Sequence, residues 1–227
     1  MKISSRFLNR ITALALYDFF KKEYISIVND VSERHLCARL AISFENIMKY
    51  FKLHGYYADV EYNRKQAGDI KTIFSETMTV VTITCDLIIH SRGENSKKDN
   101  LIAIEMAKPN KPRDTFQHDR ERLMALTKTS YDGVWSNDGT THPEHVCGYM
   151  KGFYLIIDKN TEIATVESYA QGAPSMPPYK ISLNPRINSP VNPHYFIRQR
   201  SLMIKKLTDR PLSNRSMLDI NKYKISC

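Results

Sequence analysis

The segment that decides the fold runs from Cys85 to Lys108 and reads CDLIIHSRGENSKKDNLIAIEMAK. Two runs rich in Leu and Ile flank a polar stretch, which predicts a β-hairpin with its loop at residues 91–100. Each apolar run contains one acid, Asp86 in the first and Glu105 in the second. Because an unpaired carboxylate is costly to bury, both acids are expected to be paired, protonated or bound to a cation.

A symmetric hairpin would place these two acids opposite each other. The centre of the loop lies between residues 95 and 96, and Asp86 and Glu105 are equally distant from it. Two facing carboxylates repel each other, and a divalent cation would stabilise both. The alternative is that a nearby lysine, arginine or backbone amide satisfies each acid separately. Glu33 is a candidate third acid, since it shares a helical stripe with apolar residues, although it could instead cap its helix together with Asp30.

The rest of the chain predicts an α/β fold in the order helix, three or four strands, helix, two strands. The predicted helices are about Ala13–Val28, a second from an N-cap at Asp30 to near His54, and Phe116–Lys128. The predicted strands are Tyr57–Arg64, Ile70–Phe74 (pairing with the preceding strand), Met78–His90, Leu101–Ala107, Tyr149–Ile157 and Ile163–Val166. Six of the ten prolines lie between Pro174 and Pro193, which predicts a domain over residues 1–170 and an irregular arm with a basic helix over 171–227.

Composition narrows the class of partner. The formal charge of +9 and a pI near 9.3 favour a polyanionic partner such as nucleic acid, and a merely basic solvated surface is the alternative. The apolar stretch Ile11–Tyr17 is too short to span a bilayer, and four scattered cysteines without CxxC spacing favour a reducing, cytoplasmic setting. No glycine-rich phosphate-binding loop is present, and His142, His145 and Cys147 form only a weak zinc pattern.

The Cys85–Lys108 string resembles the signature of the PD-(D/E)xK, or restriction-endonuclease-like, nucleases. The pieces SERHLCARLA, VEYNR, DRERLMALT and YMKGFYLII look like a bacterial group that often reads IEIKK at the second strand. The resemblance covers roughly residues 31–157. It implies an αβββαβ core with a mixed, largely antiparallel sheet behind N-terminal helices. It further implies a Mg²⁺- or Mn²⁺-dependent nuclease acting on DNA, with Asp86 and Glu105 holding the metal, Glu33 completing the shell, and the Met106 and Ala107 carbonyls as additional ligands.

One departure from that family pattern concerns the catalytic lysine. The pattern places it two residues after the glutamate, where this chain has Ala107, and the nearest lysine is Lys108. Side chains alternate across a strand, so Lys108 is expected to point away from Glu105. Three interpretations follow: a chain inactivated by substitution, a natural variant that uses Lys108, or a relative that binds without cutting.

Candidate contacts to nucleic acid lie on the flanking elements. The resemblance places the strand with Tyr62 and Arg64 beside the site, so Arg64 is expected to contact a phosphate. Arg120 and Arg122 on the later helix are further candidates, and an ordinary surface role is the alternative for each. The competing function is a non-catalytic module that binds nucleic acid or protein, and the proline-rich arm makes a homo-oligomer a further expectation.

Overall fold

The structure, a computed structural model, describes residues 3–61, 72–74, 80–82, 85–95, 97–128 and 147–184. The helices are α1 (Ser5–Val28), α2 (Glu33–Tyr50) and α3 (Arg113–Thr127). The strands are β1 (Tyr57–Val60), β2 (Thr72–Phe74), β3 (Val80–Thr82), β4 (Leu87–His90), β5 (Asn100–Ala107), β6 (Lys151–Asp158), β7 (Ile163–Ala170) and β8 (Ala173–Ser182). The fold is therefore α/β, as the sequence predicts.

Six of these strands form one mixed, mostly antiparallel sheet in the order β1-β4-β5-β6-β7-β8. The central pair β5 and β6 is parallel, and α3 makes the crossover that a parallel pair requires. β2 and β3 pair with each other in a separate two-stranded sheet. The predicted hairpin between Tyr149–Ile157 and Ile163–Val166 is confirmed as β6 and β7.

The sheet is covered on both faces, and β5 shows why its sequence is almost continuously apolar. Ile102, Ile104 and Met106 pack with α1 and α2 in one core, whereas Ala103 and Ala107 pack with α3 in the other. A central strand that is buried on both sides has no solvent face to fill with polar residues. Glu105, the one acid in this strand, is therefore placed among buried groups.

The N-terminal helices differ from the prediction in where they begin. α1 begins at Ser5, eight residues before the predicted Ala13, because the Ser4 hydroxyl caps it by accepting from the Phe7 amide (3.3 Å). The N-cap of α2 is Ser32, not Asp30. Asp30 has a left-handed backbone (φ 60°), and its carboxylate pairs with lysines instead of capping the helix.

The long strand predicted over Met78–His90 is divided. Val80–Thr82 pairs with β2, and β4 begins only at Leu87, where it joins β1 and β5. The predicted pairing of Ile70–Phe74 with the Tyr57 strand is wrong. β1 pairs with β4, and β2 pairs with β3 in the separate two-stranded sheet. Strand propensity is a local property and does not specify which strand becomes the partner.

The irregular arm predicted after Ala170 is wrong over Ala173–Ser182, which forms the edge strand β8. Its prolines are tolerated because an edge strand needs ladder bonds on one side only. The β7–β8 ladder also shifts register between Val166 and Ser168, where Pro177 and Pro178 lie between their partners Tyr179 and Met176. Residues 185–227, with the predicted basic helix, lie outside the described part of the chain.

Candidate metal centre

The two acids of the hairpin face each other across adjacent strands. Leu87 pairs with Ile104 in the β4–β5 ladder, so Asp86, one residue earlier, lies opposite Glu105. This confirms the predicted facing of Asp86 and Glu105, although the ladder shifts by one residue nearer the loop, where His90 pairs with Asn100. The Met106 amide donates to Asp86 Oδ2 (2.8 Å), which fixes the Asp86 carboxylate just beyond the first residue of β4.

The surroundings of this pair disfavour two negative charges. Glu105 is 1% exposed, and burial followed by the Asp86 charge raises the pKa of Glu105 well above its usual value. Burial also raises the pKa of Asp86, although the Met106 amide and Lys111 oppose that change. The two carboxyl groups also act on each other, since the Asp86 charge is, after burial, the next largest cause of the raised Glu105 pKa. They therefore share a proton or need a cation.

α3 brings a second acid and an arginine over the pair. Arg122 Nη1 donates to Glu105 Oε1 (2.8 Å), and Arg122 Nη2 lies 3.4 Å from Asp119 Oδ1. The Tyr154 hydroxyl donates to Asp119 Oδ2 (2.9 Å), and Tyr154 is the β6 neighbour of Glu105. Sequence reasoning missed Asp119 and Tyr154. The i, i+3 spacing of Asp119 and Arg122 was the available signal, since such residues share a helix face.

Arg120, predicted to contact nucleic acid, instead contacts residues of the sheet on the face that α3 covers. Its guanidinium makes two hydrogen bonds to the Glu167 carboxylate (2.9 and 2.7 Å) and lies over the Tyr154 ring (5.5 Å to the centroid). Tyr62 and Arg64, the other predicted contacts, lie outside the described residues. The nucleic-acid role of all three remains a prediction.

The position of the motif lysine is buried, and the neighbouring lysine turns away. Ala107 is fully buried on the α3 face that also holds Glu105, as strand alternation predicts. Lys108 Nζ donates to Asp30 Oδ1 (2.7 Å) beside the start of α2. The structure thus does not bring Lys108, one of the predicted catalytic residues, to the acid pair.

Glu33, the predicted third acid, reaches the site through another residue. Its Oε1 accepts from the Lys108 amide (2.9 Å), and its Oε2 accepts from Lys111 Nζ (2.9 Å). Lys111 Nζ also donates to the Met106 carbonyl (3.2 Å). Burial lowers the pKa of Lys111, but the Glu33 carboxylate outweighs it and raises that pKa overall. Lys111 was missed because nothing in its local sequence indicates that the chain turns back after Pro109.

The oxygen atoms around the acid pair match part of the ligand set that a hard cation such as Mg²⁺ requires. Mg²⁺ is commonly held by one or two carboxylates and keeps several waters, and Asp86, Glu105 and the Met106 carbonyl supply oxygens of that kind. Within the described ranges, no group of three or more His, Cys, Asp or Glu side chains is arranged to hold a metal ion. His142 and His145 of the weak zinc pattern lie outside those ranges, and Cys147 is buried and free of disulfides.

Comparisons with known proteins add no family assignment. No protein-family model, curated protein or solved structure matches the chain. In the part of the chain that the structure describes, no helix is long and apolar enough to cross a membrane. The resemblance to PD-(D/E)xK nucleases therefore stays a prediction supported by the residues of the hairpin.

Proposed function

We propose that the chain is a metal-dependent nuclease that hydrolyses phosphodiester bonds in DNA, built on a restriction-endonuclease-like core. The observation that carries the proposal is the facing pair Asp86 and Glu105 on adjacent strands of a buried hairpin. Burying two facing carboxylates has a high electrostatic cost, and acids with such perturbed pKa values are concentrated at functional sites. A divalent cation is the simplest partner that would remove that cost.

The roles of the residues follow from their contacts. Asp86 and Glu105 would hold a Mg²⁺ or Mn²⁺ ion, whereas the Met106 carbonyl already accepts from Lys111 Nζ. The chemistry that such an ion supplies is polarisation of the phosphate and acidification of water. Arg122 holds Glu105 in place and adds positive charge beside a substrate phosphate. The net charge of +9 supports a sequence-independent grip on the DNA backbone.

The second candidate function is a non-catalytic nucleic-acid-binding module. It is favoured by Ala107, which replaces the lysine of the motif, and by the Arg122–Glu105 ion pair, which satisfies Glu105 without a metal. Both candidates require salt-dependent binding of nucleic acid, and only the first requires cleavage.

The test is plasmid cleavage in Mg²⁺ or Mn²⁺, with EDTA as the metal-free control. We expect the chain to cut, Ala107→Lys to cut at least as well, and Glu105→Gln to abolish cutting by either. Ala107→Met is the matched control, because it adds similar bulk at the buried position without a charge. If neither the chain nor Ala107→Lys cuts single-stranded DNA, double-stranded DNA or RNA, the nuclease proposal is wrong. Salt-dependent binding without cutting would then support the binding module.

A further inference from the structure

A lysine that the motif does not include lies at the edge of the acid pair. Lys111 is in the short segment between β5 and α3, and its ammonium group bonds both the Met106 carbonyl and the Glu33 carboxylate. Besides Glu33, the charges of Asp119 and Asp86 act to raise the pKa of Lys111. Glu33 at the start of α2 and Met106 of β5 thus converge on one ammonium group.

The backbone of Met106 explains why this position matters. The amide and carbonyl of one strand residue point to the same side, and the Met106 amide donates to Asp86. The Met106 carbonyl therefore points to the edge of β5 that β4 leaves uncovered before Leu87. Lys111 occupies that edge, on the side of Glu105 where Asp86 lies.

Two other cations near the site already bond acidic side chains. Lys108 pairs with Asp30, and Arg122 bonds Glu105 and Asp119. An ammonium group has three donors, and two of those on Lys111 are used by Glu33 and Met106. Within the described residues the third has no partner, so it can bond a phosphate oxygen, and the side chain keeps 24% exposure through which a substrate can reach it.

We propose that Lys111 supplies to the acid pair the positive charge that Ala107 cannot, by contacting the phosphate on which the site acts. The inference rests on the proposed nuclease function and adds a residue to it. This role for Lys111 explains how a site with Ala107 at the motif position can still cut DNA. The lysine comes from the segment between β5 and α3 instead of from β5 itself. Negative charge that develops on the phosphate would then be stabilised by a fixed, partly buried cation.

The experiment compares three lysines that each form one ion pair near the start of α2. Lys111→Met is expected to reduce kcat for DNA cleavage by about 100-fold, the typical loss of one charge-stabilising donor. Lys159→Met is the neutral control, because Lys159 also pairs with an acid, Asp30, from the distant β6–β7 turn. Lys108→Met tests whether the neighbouring lysine serves the site instead. Circular dichroism verifies folding, and Lys111→Gln replaces any variant at this position that does not fold.

Rescue separates a chemical role from a structural one. Adding Ala107→Lys to Lys111→Met should restore most of the lost activity, because it returns a cation from the strand, whereas Ala107→Met should not. Equal losses in Lys111→Met and Lys108→Met, or no rescue, would overturn the inference while leaving the nuclease function intact.

If the chain does not cut at all, the proposed nuclease function is wrong. The affinity for an oligonucleotide then tests whether Lys111 contacts phosphate. Fluorescence anisotropy with a labelled oligonucleotide in Ca²⁺ should show at least about 5-fold weaker binding for Lys111→Met than for Lys159→Met. Equal affinities would overturn the phosphate contact.

Discussion

Two acidic residues contact or precede the ends of β4, Asp59 of β1 and Asp86, and their pKa values are shifted in opposite directions. Beside its last residue, His90, the Asp59 carboxylate hydrogen-bonds His90 Nε2 (2.8 Å) and accepts two bonds from the Arg92 guanidinium (2.8 and 2.5 Å). Burial acts to raise the pKa of Asp59, but the bonds from His90 and Arg92 outweigh it and hold that pKa well below its usual value. Before the first residue of β4, Asp86 faces another acid, and its pKa is raised.

The difference separates a structural ion pair from a candidate site. Asp59 has partners of opposite charge on two sides, and Arg92 lies on the Tyr57 ring (4.3 Å), so nothing further is needed there. Asp86 and Glu105 lie opposite each other on neighbouring strands, and the Arg122 guanidinium bonds only Glu105 of the two. Local arrangements that break the rule of charge pairing are expected where a ligand completes them.

Loss of cleavage gives the largest contrast between the two ends. In Mg²⁺, Asp86→Asn should lower kcat by about 10³-fold or more, because a lost metal ligand removes several kcal/mol of charge stabilisation. Asp59→Asn should stay within about 3-fold. Rates on supercoiled plasmid measure both. A comparable loss in the two variants would mean that the acids at the β4 start have no special role.

The next largest difference is expected in the free energy of unfolding when Arg122 or Arg92 is replaced. Arg122→Met should lower the free energy of unfolding by about 3 kcal/mol, since it leaves the buried Glu105 without its cation. Arg92→Met should cost less than about 1 kcal/mol, because the Arg92 side chain is 47% exposed. Urea unfolding measures both.

A double variant provides the control for that contrast. Adding Glu105→Gln to Arg122→Met should recover part of the stability, because no buried charge is then left over. A different result is that Arg122→Met and Arg92→Met lower the free energy of unfolding equally, with no recovery in the double variant. That result would show that Glu105 is not charged when it is paired with Arg122.

The pH dependence of stability is the smallest effect, at most about 1.4 kcal/mol per pH unit for one group. Glu105 has a raised folded-state pKa, so its proton favours the folded state. In EDTA, the wild type should lose stability relative to Glu105→Gln as the pH rises from about 4.5 through the folded-state pKa.

Asp59 should give the opposite slope. Its folded-state pKa is lowered, so its stabilising contribution is present above about pH 3.8 and is lost as the pH falls through the folded-state value. Unfolding free energies of wild type, Glu105→Gln and Asp59→Asn across the pH range measure both slopes. If the contributions of Glu105 and Asp59 to the unfolding free energy change with pH in the same direction, the proposed difference between the two acids is wrong.

Several elements could be predicted from the sequence because their causes are local. The pairing of Leu87 with Ile104 follows from the centre of the polar loop between the two apolar runs, and the β6–β7 hairpin follows from the turn after Asp158. The turning of Lys108 away from Glu105 follows from the same alternation. The start of α1, by contrast, depends on one capping serine ahead of a weakly patterned stretch.

The sequence by itself determined that this chain holds two acids in facing positions of a buried hairpin and lacks a lysine at the motif position. Only the tertiary structure decided which cations accompany them. Lys111 and Arg122 reach Met106 and Glu105 because α3 crosses over the sheet between β5 and β6, a placement fixed by packing. Strand alternation acts over two or three residues, whereas the charge balance of a buried site depends on every element that packs against it.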